Sequence, residues 1–223
     1  MTSAVDWAVL ASLADDERQR VLASARHRRY ARGEAVVREG DRADSLHLVA
    51  RGRFAVRASN SEGDSAILNV LGPGSYFGEL ALMPGAAQER TATVLALEPA
   101  ETLALSASTF GGLRQRHPGI ERLLTVLLAR RVEELSVRLV EAMYEGLDRR
   151  VHRRLDELCR LYAAGPGPVT VPLTQSDLAQ LVGGARPSVN QVLRRLEERG
   201  VVALRRGAID VTDPAALRRL AHR

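Results

Sequence analysis

Two charged residues in the stretch FGELALMPGAAQERTATV (Phe77–Val94) stand among small and apolar neighbours. Glu79 and Arg90 lie eleven positions apart. A carboxylate accepts hydrogen bonds from hydroxyls, and a guanidinium grips a phosphate through paired N–H donors. Small residues beside them, Gly78 and Ala81, let a backbone approach a ligand closely. The stretch also holds one short apolar helix-like run, at Glu79–Met83. The pair suits a ligand that carries both hydroxyls and a phosphate. The simpler alternative is a surface loop with an ion pair.

A second cluster lies in LTQSDLAQLVGGARPSVNQVLRRLEERGVV (Leu173–Val202). Thr174 and Asp177 form a capping-box pattern ahead of an apolar run. A glycine turn follows, then a basic amphipathic segment, Arg186–Arg199, with Val189, Val192, Leu193 and Leu196 on its inner side. Helix, tight turn, helix is the helix-turn-helix pattern. The second helix begins with Arg186, Pro187, Ser188, Asn190 and Gln191. Arg pairs with guanine edges, and Asn or Gln with adenine edges. Arg194, Arg195, Arg205 and Arg206 lie where phosphates would pass, and Thr174 and Gln175 open the first helix. VVALRRGAIDVTD reads as a hairpin with Arg205, Arg206 and Gly207 at its tip.

The rest of the chain must position these residues. Trp7–Ala23 reads as one amphipathic helix. From Gly33 to Ala107, short Val-, Leu- and Ile-rich segments alternate with Gly, Asn and Asp turns, which predicts an all-β sandwich or roll. Pro118 opens a long helix with Ile120, Leu124, Leu128, Arg131, Leu135, Leu139 and Ala142 in near-heptad series, a seam for a second copy in a parallel coiled coil. Gly146 breaks it, and Asp148 caps a helix running to about Ala163.

Composition narrows the class. The 223 residues suit one large or two small domains, and 45% apolar content is enough for ordinary cores. The N-terminus lacks a basic, apolar leader, and no apolar run is long enough to span a bilayer, so no membrane role is expected. All 32 basic residues are arginine, and residues 147–223 hold 14 of them against 8 acids. The remainder is near neutral, so a polyanion partner is expected for the last third. One cysteine, Cys159, reads as a core residue and points to a reducing cytoplasm. The five histidines (27, 47, 117, 152, 222) show no metal spacing. No nucleophile elbow, zinc-protease motif or P-loop is present, so no enzyme is expected.

Taken together, RGEAVVREGD, FGELALMPGAAQERTATV and the helix-turn-helix segment resemble the catabolite activator, or Crp-Fnr, family of bacterial transcription regulators. The three motifs stand in the family's order and cover nearly the whole chain. The resemblance implies an α+β chain: a cyclic-nucleotide-binding β-roll of the jelly-roll type (1–116), a dimerisation helix and hinge (117–146), and a winged helix-turn-helix (147–223). It implies a homodimer on a pseudo-palindromic duplex, in the nucleoid-bearing cytoplasm, acting with RNA polymerase. It implies a cyclic nucleotide effector, cyclic AMP before cyclic GMP, and no tightly bound cofactor or metal. Gly78, Glu79, Leu80, Ala81, Arg90 and Thr91 correspond to the phosphate cassette, with Glu79 on the ribose hydroxyl and Arg90 on the phosphate. Arg131, Leu135 and Ser136 correspond to helix positions facing the base. Family members with a known preference for adenine offer a hydroxyl pair there; here leucine replaces one. Two other readings use the same residues: a constitutive DNA binder or one answering another ligand, and a nucleotide-regulated partner-binding subunit without DNA function.

Overall fold

The computed structural model describes residues 5–59, 65–83 and 89–222. They fall into two compact units, one built mainly from residues up to Leu135 and one from Ser136 onward. The division falls within the long helix, between Leu135 and Ser136.

The first unit opens with a 3-10 turn, Ala8–Ser12, and helix α1, Asp15–Ser24. The single helix expected over Trp7–Ala23 is therefore broken, because Leu13 and Ala14 are extended. The cause is Glu17. Its carboxylate accepts the Ala14 N–H at 3.2 Å and the Gly119 N–H at 3.0 Å. One buried carboxylate thus serves the N-termini of two helices, where negative charge is favoured.

Among the described residues, eight strands follow: β1 Arg26–Tyr30, β2 Ala35–Val37, β3 Ser45–Arg51, β4 Phe54–Ser59, β5 Ser65–Leu71, β6 Tyr76–Phe77, β7 Thr93–Ala96 and β8 Ala100–Ser106. They form two four-stranded sheets, in the orders β1-β8-β3-β6 and β2-β7-β4-β5. Val49, Phe54, Phe77, Val94 and Ala96 fill one core. Strand β1 was missed in the sequence, since RHRRY has no apolar alternation and its first four residues are exposed. Helix α2, Ala107–Arg116, was missed too; Ser106 caps it by accepting the Thr109 N–H.

Helix α3 runs Pro118–Tyr144. Its first half covers its own β domain: Ile120, Leu123 and Leu127 are fully buried with Leu46, Leu48, Leu105 and Phe110. Each such side chain contributes roughly 1.5–3 kcal/mol. Its second half is different. Leu135 and Leu139 are 58% and 61% exposed, with Val132, Val140 and Met143 similar. The heptad series is thus two surfaces: Ile120 and Leu124 belong to the domain core, while Leu135 and Leu139 are exposed.

The second unit comprises α4 Leu147–Tyr162, β9 Val169–Val171, α5 Gln175–Val182, α6 Arg186–Glu198, β10 Val202–Arg205, β11 Ala208–Val211 and α7 Pro214–Ala221. Strands β10, β11 and β9 make a small antiparallel sheet. Gly146, not Asp148, is the N-cap of α4, and Asp148 lies in its first turn. Buried Glu141 near the end of α3 is bonded by Arg153 at 2.9 Å and Arg154 at 2.7 Å.

Replacing Glu17 by alanine leaves two helix-terminal N–H groups without an acceptor. It should lower unfolding stability by roughly 1–3 kcal/mol, read from denaturant melts. An unchanged midpoint would refute the shared-cap account.

Candidate functional site

Gly78 adopts φ 80°, a left-handed conformation open to glycine. The space beside it is also closed. A Cβ there would lie 2.6 Å from Arg90 Nη1 and 2.6 Å from the Ser45 carbonyl oxygen. The segment Glu79–Leu82 is one 3-10 turn rather than the expected short helix. Within it, the Ala81 N–H is already donated to the Gly78 carbonyl at 3.2 Å. Ala81 therefore offers no free N–H to an anion.

Glu79 and Arg90 are buried, at 5% and 7% exposure, but they do not pair with each other. Glu79 accepts from Arg131 of α3 through Nε at 2.9 Å. Arg131 also bonds Glu134 and stands 5.7 Å above the Tyr76 ring. Burial lowers the Arg131 pKa, but the bond and charge of Glu79 outweigh it, so the net direction is upward. The Tyr76 hydroxyl donates to the Leu127 carbonyl at 2.8 Å, and burial pushes its pKa up to about 12.

Arg90 is held from the other side. Its Nη1 donates to the Ser45 carbonyl at 2.8 Å, and Nη2 donates to Ser45 Oγ at 2.9 Å and Asp44 Oδ1 at 3.1 Å. Its Nε is buried with no partner among the described residues. Burial lowers the Arg90 pKa, opposed by Asp44. Asp44 and Ser45 were not singled out in the sequence; nor was His47 beyond its lack of metal spacing. His47 is 5% exposed and stacked on Phe77 with centroids 4.8 Å apart. Its Nε2 lies 3.2 Å from Ser45 Oγ and its Nδ1 lies 3.1 Å from Thr102 Oγ1. The available signal was Ser45 and His47 at alternate positions of an otherwise apolar strand. The same cluster lines a cavity of about 770 Å³ with Arg26, Arg28 and Tyr30.

Of the other positions named from the sequence, Leu80 is half-buried and Thr91 exposed. Leu135 and Ser136 follow Arg131 on α3, both exposed.

In the second unit the turn is built as expected. Thr174 and Asp177 exchange capping bonds, and Gly183 closes α5 at φ 60°. Gly184 has no room for a side chain, since a Cβ would meet Leu147 Cδ1 at 2.7 Å. Val189, Val192, Leu193 and Leu196 are buried under α6. Arg186, Pro187, Gln191 and Arg194 are exposed, and Ser188 and Asn190 half-buried. Thr174, Gln175, Arg186, Arg205 and Arg206 line one cleft of about 440 Å³. Two of the expected phosphate arginines are engaged within the chain. Arg195 is bonded to Asp148 at 2.7 Å, and Arg205 to Asp210. Arg150 donates to the Val182 carbonyl at 2.8 Å and so closes α5. Part of the basic surplus is therefore structural.

A β-roll with a buried Glu and Arg, followed in the chain by a winged helix-turn-helix, defines a class: a DNA-binding regulator with a β-roll domain in front of its DNA-binding domain. The model of the cyclic nucleotide-binding domain matches residues 27–117, and that of the Crp-like helix-turn-helix domain matches residues 149–220. The chain is 34% identical over 209 residues to the cyclic AMP receptor protein of Thermus thermophilus, covering 94% of each chain. It is 28% identical over 196 residues to the CRP-like cAMP-activated global transcriptional regulator of Mycobacterium tuberculosis, covering 86% of each. The crystal structure of the Thermus thermophilus catabolite activator protein aligns with TM-score 0.54 at 34% identity, covering 96% of this chain and 97% of that one. The c-di-GMP responsive regulator CLP of Xanthomonas campestris shares the fold, with TM-score 0.74 at 23% identity, covering 89% of this chain and 99% of that one. The chain belongs to the Crp-Fnr family of DNA-binding transcription regulators and carries that family's cyclic nucleotide-binding domain. No helix of the described residues is long and apolar enough to cross a membrane.

The neutrality of His47 is directly testable. Burial first, then the charge of Arg90, pushes its pKa from 6.5 down to about 4. Between those values the unfolded chain holds a proton that the native chain does not. Stability from this group is thus full above pH 6.5 and falls as pH drops toward 4, by on the order of 3 kcal/mol. His47→Phe should flatten the stability–pH curve in this window. An equal slope in both proteins would show that His47 titrates normally.

Proposed function

We propose that the chain is a homodimeric transcription regulator controlled by a cyclic nucleotide, cyclic AMP first, bound at Glu79 and Arg90. The observation that carries this is the state of Arg90. It is a buried guanidinium beside a glycine that no other residue could replace, with one buried donor, Nε, left over. A phosphate is the acceptor that such a donor suits. Glu79, already oriented by Arg131, would accept from a ribose hydroxyl. Glu79 is bonded to Arg131, so a ligand held by Glu79 would be linked through that bond to helix α3. The names of the relatives at 34% and 28% identity, both linked to cyclic AMP, support the same reading.

Leu135 makes the base the open part of the recognition. Leucine neither donates nor accepts, which leaves Ser136 as the hydroxyl at these positions. The exposed apolar half of α3 is the surface we assign to the partner protomer. The face of α6 that carries Arg186 and Gln191 would enter the major groove, and Arg194 and Arg206 would meet phosphates. Contact with RNA polymerase, and action in the cytoplasm on nucleoid DNA, belong to the same reading.

Calorimetry with cyclic AMP and cyclic GMP tests the ligand. Arg90→Ala should weaken binding at least about tenfold, the loss of one charge-assisted bond of roughly 1.5–3 kcal/mol. Unchanged affinity in Arg90→Ala rules the site out. Discrimination between the two nucleotides should stay below about a hundredfold, since an apolar contact replaces one polar reader. Site selection from random duplexes should return a pseudo-palindrome with half-sites about one helical turn apart. Arg186→Ala should cost roughly 1–3 kcal/mol and relax one base position per half-site. An unaltered motif would place the recognition surface elsewhere.

A further inference from the structure

His47 lies outside every motif that led to the site, yet it is bonded to the residue that holds Arg90. Strand pairing places it opposite Phe77, the residue before Gly78, and its ring lies flat on the Phe77 ring. Both ring nitrogens are within bonding distance of a hydroxyl, Nδ1 of Thr102 and Nε2 of Ser45. Thr102 is fully buried, so this end of the ring is anchored in the sheet. The other end meets Ser45 Oγ, the atom to which Arg90 Nη2 donates.

Proton counting fixes the roles. Ser45 Oγ has three neighbours: Asp44 Oδ1 at 2.8 Å, Arg90 Nη2 at 2.9 Å and His47 Nε2 at 3.2 Å. A hydroxyl has one proton and two lone pairs. Carboxylate is the strongest acceptor present, so the Ser45 proton goes to Asp44. The lone pairs then receive Arg90 and His47. His47 must be the Nε2–H tautomer, with Nδ1 accepting from Thr102. Every site of the hydroxyl is filled, and it has no freedom to rotate. The Ser45 carbonyl, on the same residue, takes the other Arg90 nitrogen at 2.8 Å.

We propose that His47 is a positioning residue for the phosphate-binding arginine: as a neutral imidazole it locks the Ser45 hydroxyl, and Ser45 holds the Arg90 guanidinium against Gly78. A neutral group is what the place requires. An imidazolium would put a second cation one hydroxyl away from Arg90. Preorganisation is the benefit, because a guanidinium already fixed loses less freedom when a phosphate arrives. The inference rests on the nucleotide reading above and adds to it the residue that sets the geometry of Arg90.

The test uses the full-length protein with His47→Phe, Ser45→Ala, Arg90→Ala and the double variant His47→Phe/Arg90→Ala. Phenylalanine keeps the stack on Phe77 and removes both bonds; Ser45→Ala is the milder change should His47→Phe fold poorly. Two readouts are taken. The first is the nitrogen-15 spectrum of the ligand-free arginine side chains, with the Arg90 signal found by its loss in Arg90→Ala. The Arg90 guanidinium should rotate slowly in the parent and rapidly in His47→Phe and Ser45→Ala. The second is calorimetry with cyclic AMP and with adenosine, which lacks the phosphate. His47→Phe should weaken cyclic AMP about tenfold, within the range seen when a supporting bond to a ligating residue is lost. It should leave adenosine unchanged and add nothing in the Arg90→Ala background. If the parent binds no cyclic AMP while Arg90 still loosens in His47→Phe, the nucleotide reading fails and the positioning role stands. An Arg90 signal unchanged in both single variants overturns the proposal. So does an equal loss with and without Arg90.

Discussion

Burying a guanidinium requires that its charge be paired and most of its hydrogen-bonding groups be met, because desolvating an unpaired charge costs far more than any single contact returns. Arg90 imposes that constraint on the first unit. It fixes a left-handed glycine at 78, a carbonyl and hydroxyl at Ser45, and a carboxylate at Asp44. These come from the start of β3, from the residue before it and from the turn after β6, while Arg90 itself lies just before β7. Glu79 imposes the mirror constraint, met by Arg131 of α3. Two buried charges, each with its own counter-charge, thereby tie both sheets' ends and the long helix to one location. A structural ion pair between Glu79 and Arg90 would have been the simpler solution, and the chain does not use it.

Much of the fold was legible where residue chemistry is local. The Thr174 capping box, the glycine turn and the apolar side of α6 depend on neighbours three or four positions away, and they appear as read. Strand β1 was hidden because an edge strand with exposed arginines has neither alternation nor β-branched residues. The break between Ser12 and Asp15 was hidden because apolar spacing does not show that the Glu17 carboxylate turns back to the Ala14 N–H while also taking the Gly119 N–H, 102 positions away. The heptad series in α3 was real as a pattern but mixed two burial environments. Periodicity cannot tell the side of a helix that covers its own domain from the side left open.

For the site, the sequence marked Glu79, Arg90 and Arg131 but not who holds whom. Arg90 and Asp44 are 46 positions apart, and Arg131 and Glu79 are 52 apart, so no local pattern joins them. Ser45 and His47 read as ordinary members of an apolar strand; only the sheet places them on the guanidinium. Arg150, Arg153, Arg154, Arg195 and Arg205 have partners within their own unit, which leaves Arg186, Arg194 and Arg206 as the better candidates for DNA.

In the proposed regulator, nucleotide and DNA binding are linked properties of one molecule, with α3 supplying Arg131 to the first unit and Glu141 to the second. Linkage has a size and a symmetry. A ligand shifts an equilibrium only by its differential affinity for the two states, and typical coupling is about 1–3 kcal/mol. The decisive measurement is operator affinity at fixed salt, with and without saturating cyclic AMP, paired with cyclic AMP affinity with and without operator. The account predicts a change of about 5- to 150-fold, equal in both directions. Equal operator affinities in the presence of demonstrated nucleotide binding would contradict it, and would leave a DNA-binding protein that its ligand does not control.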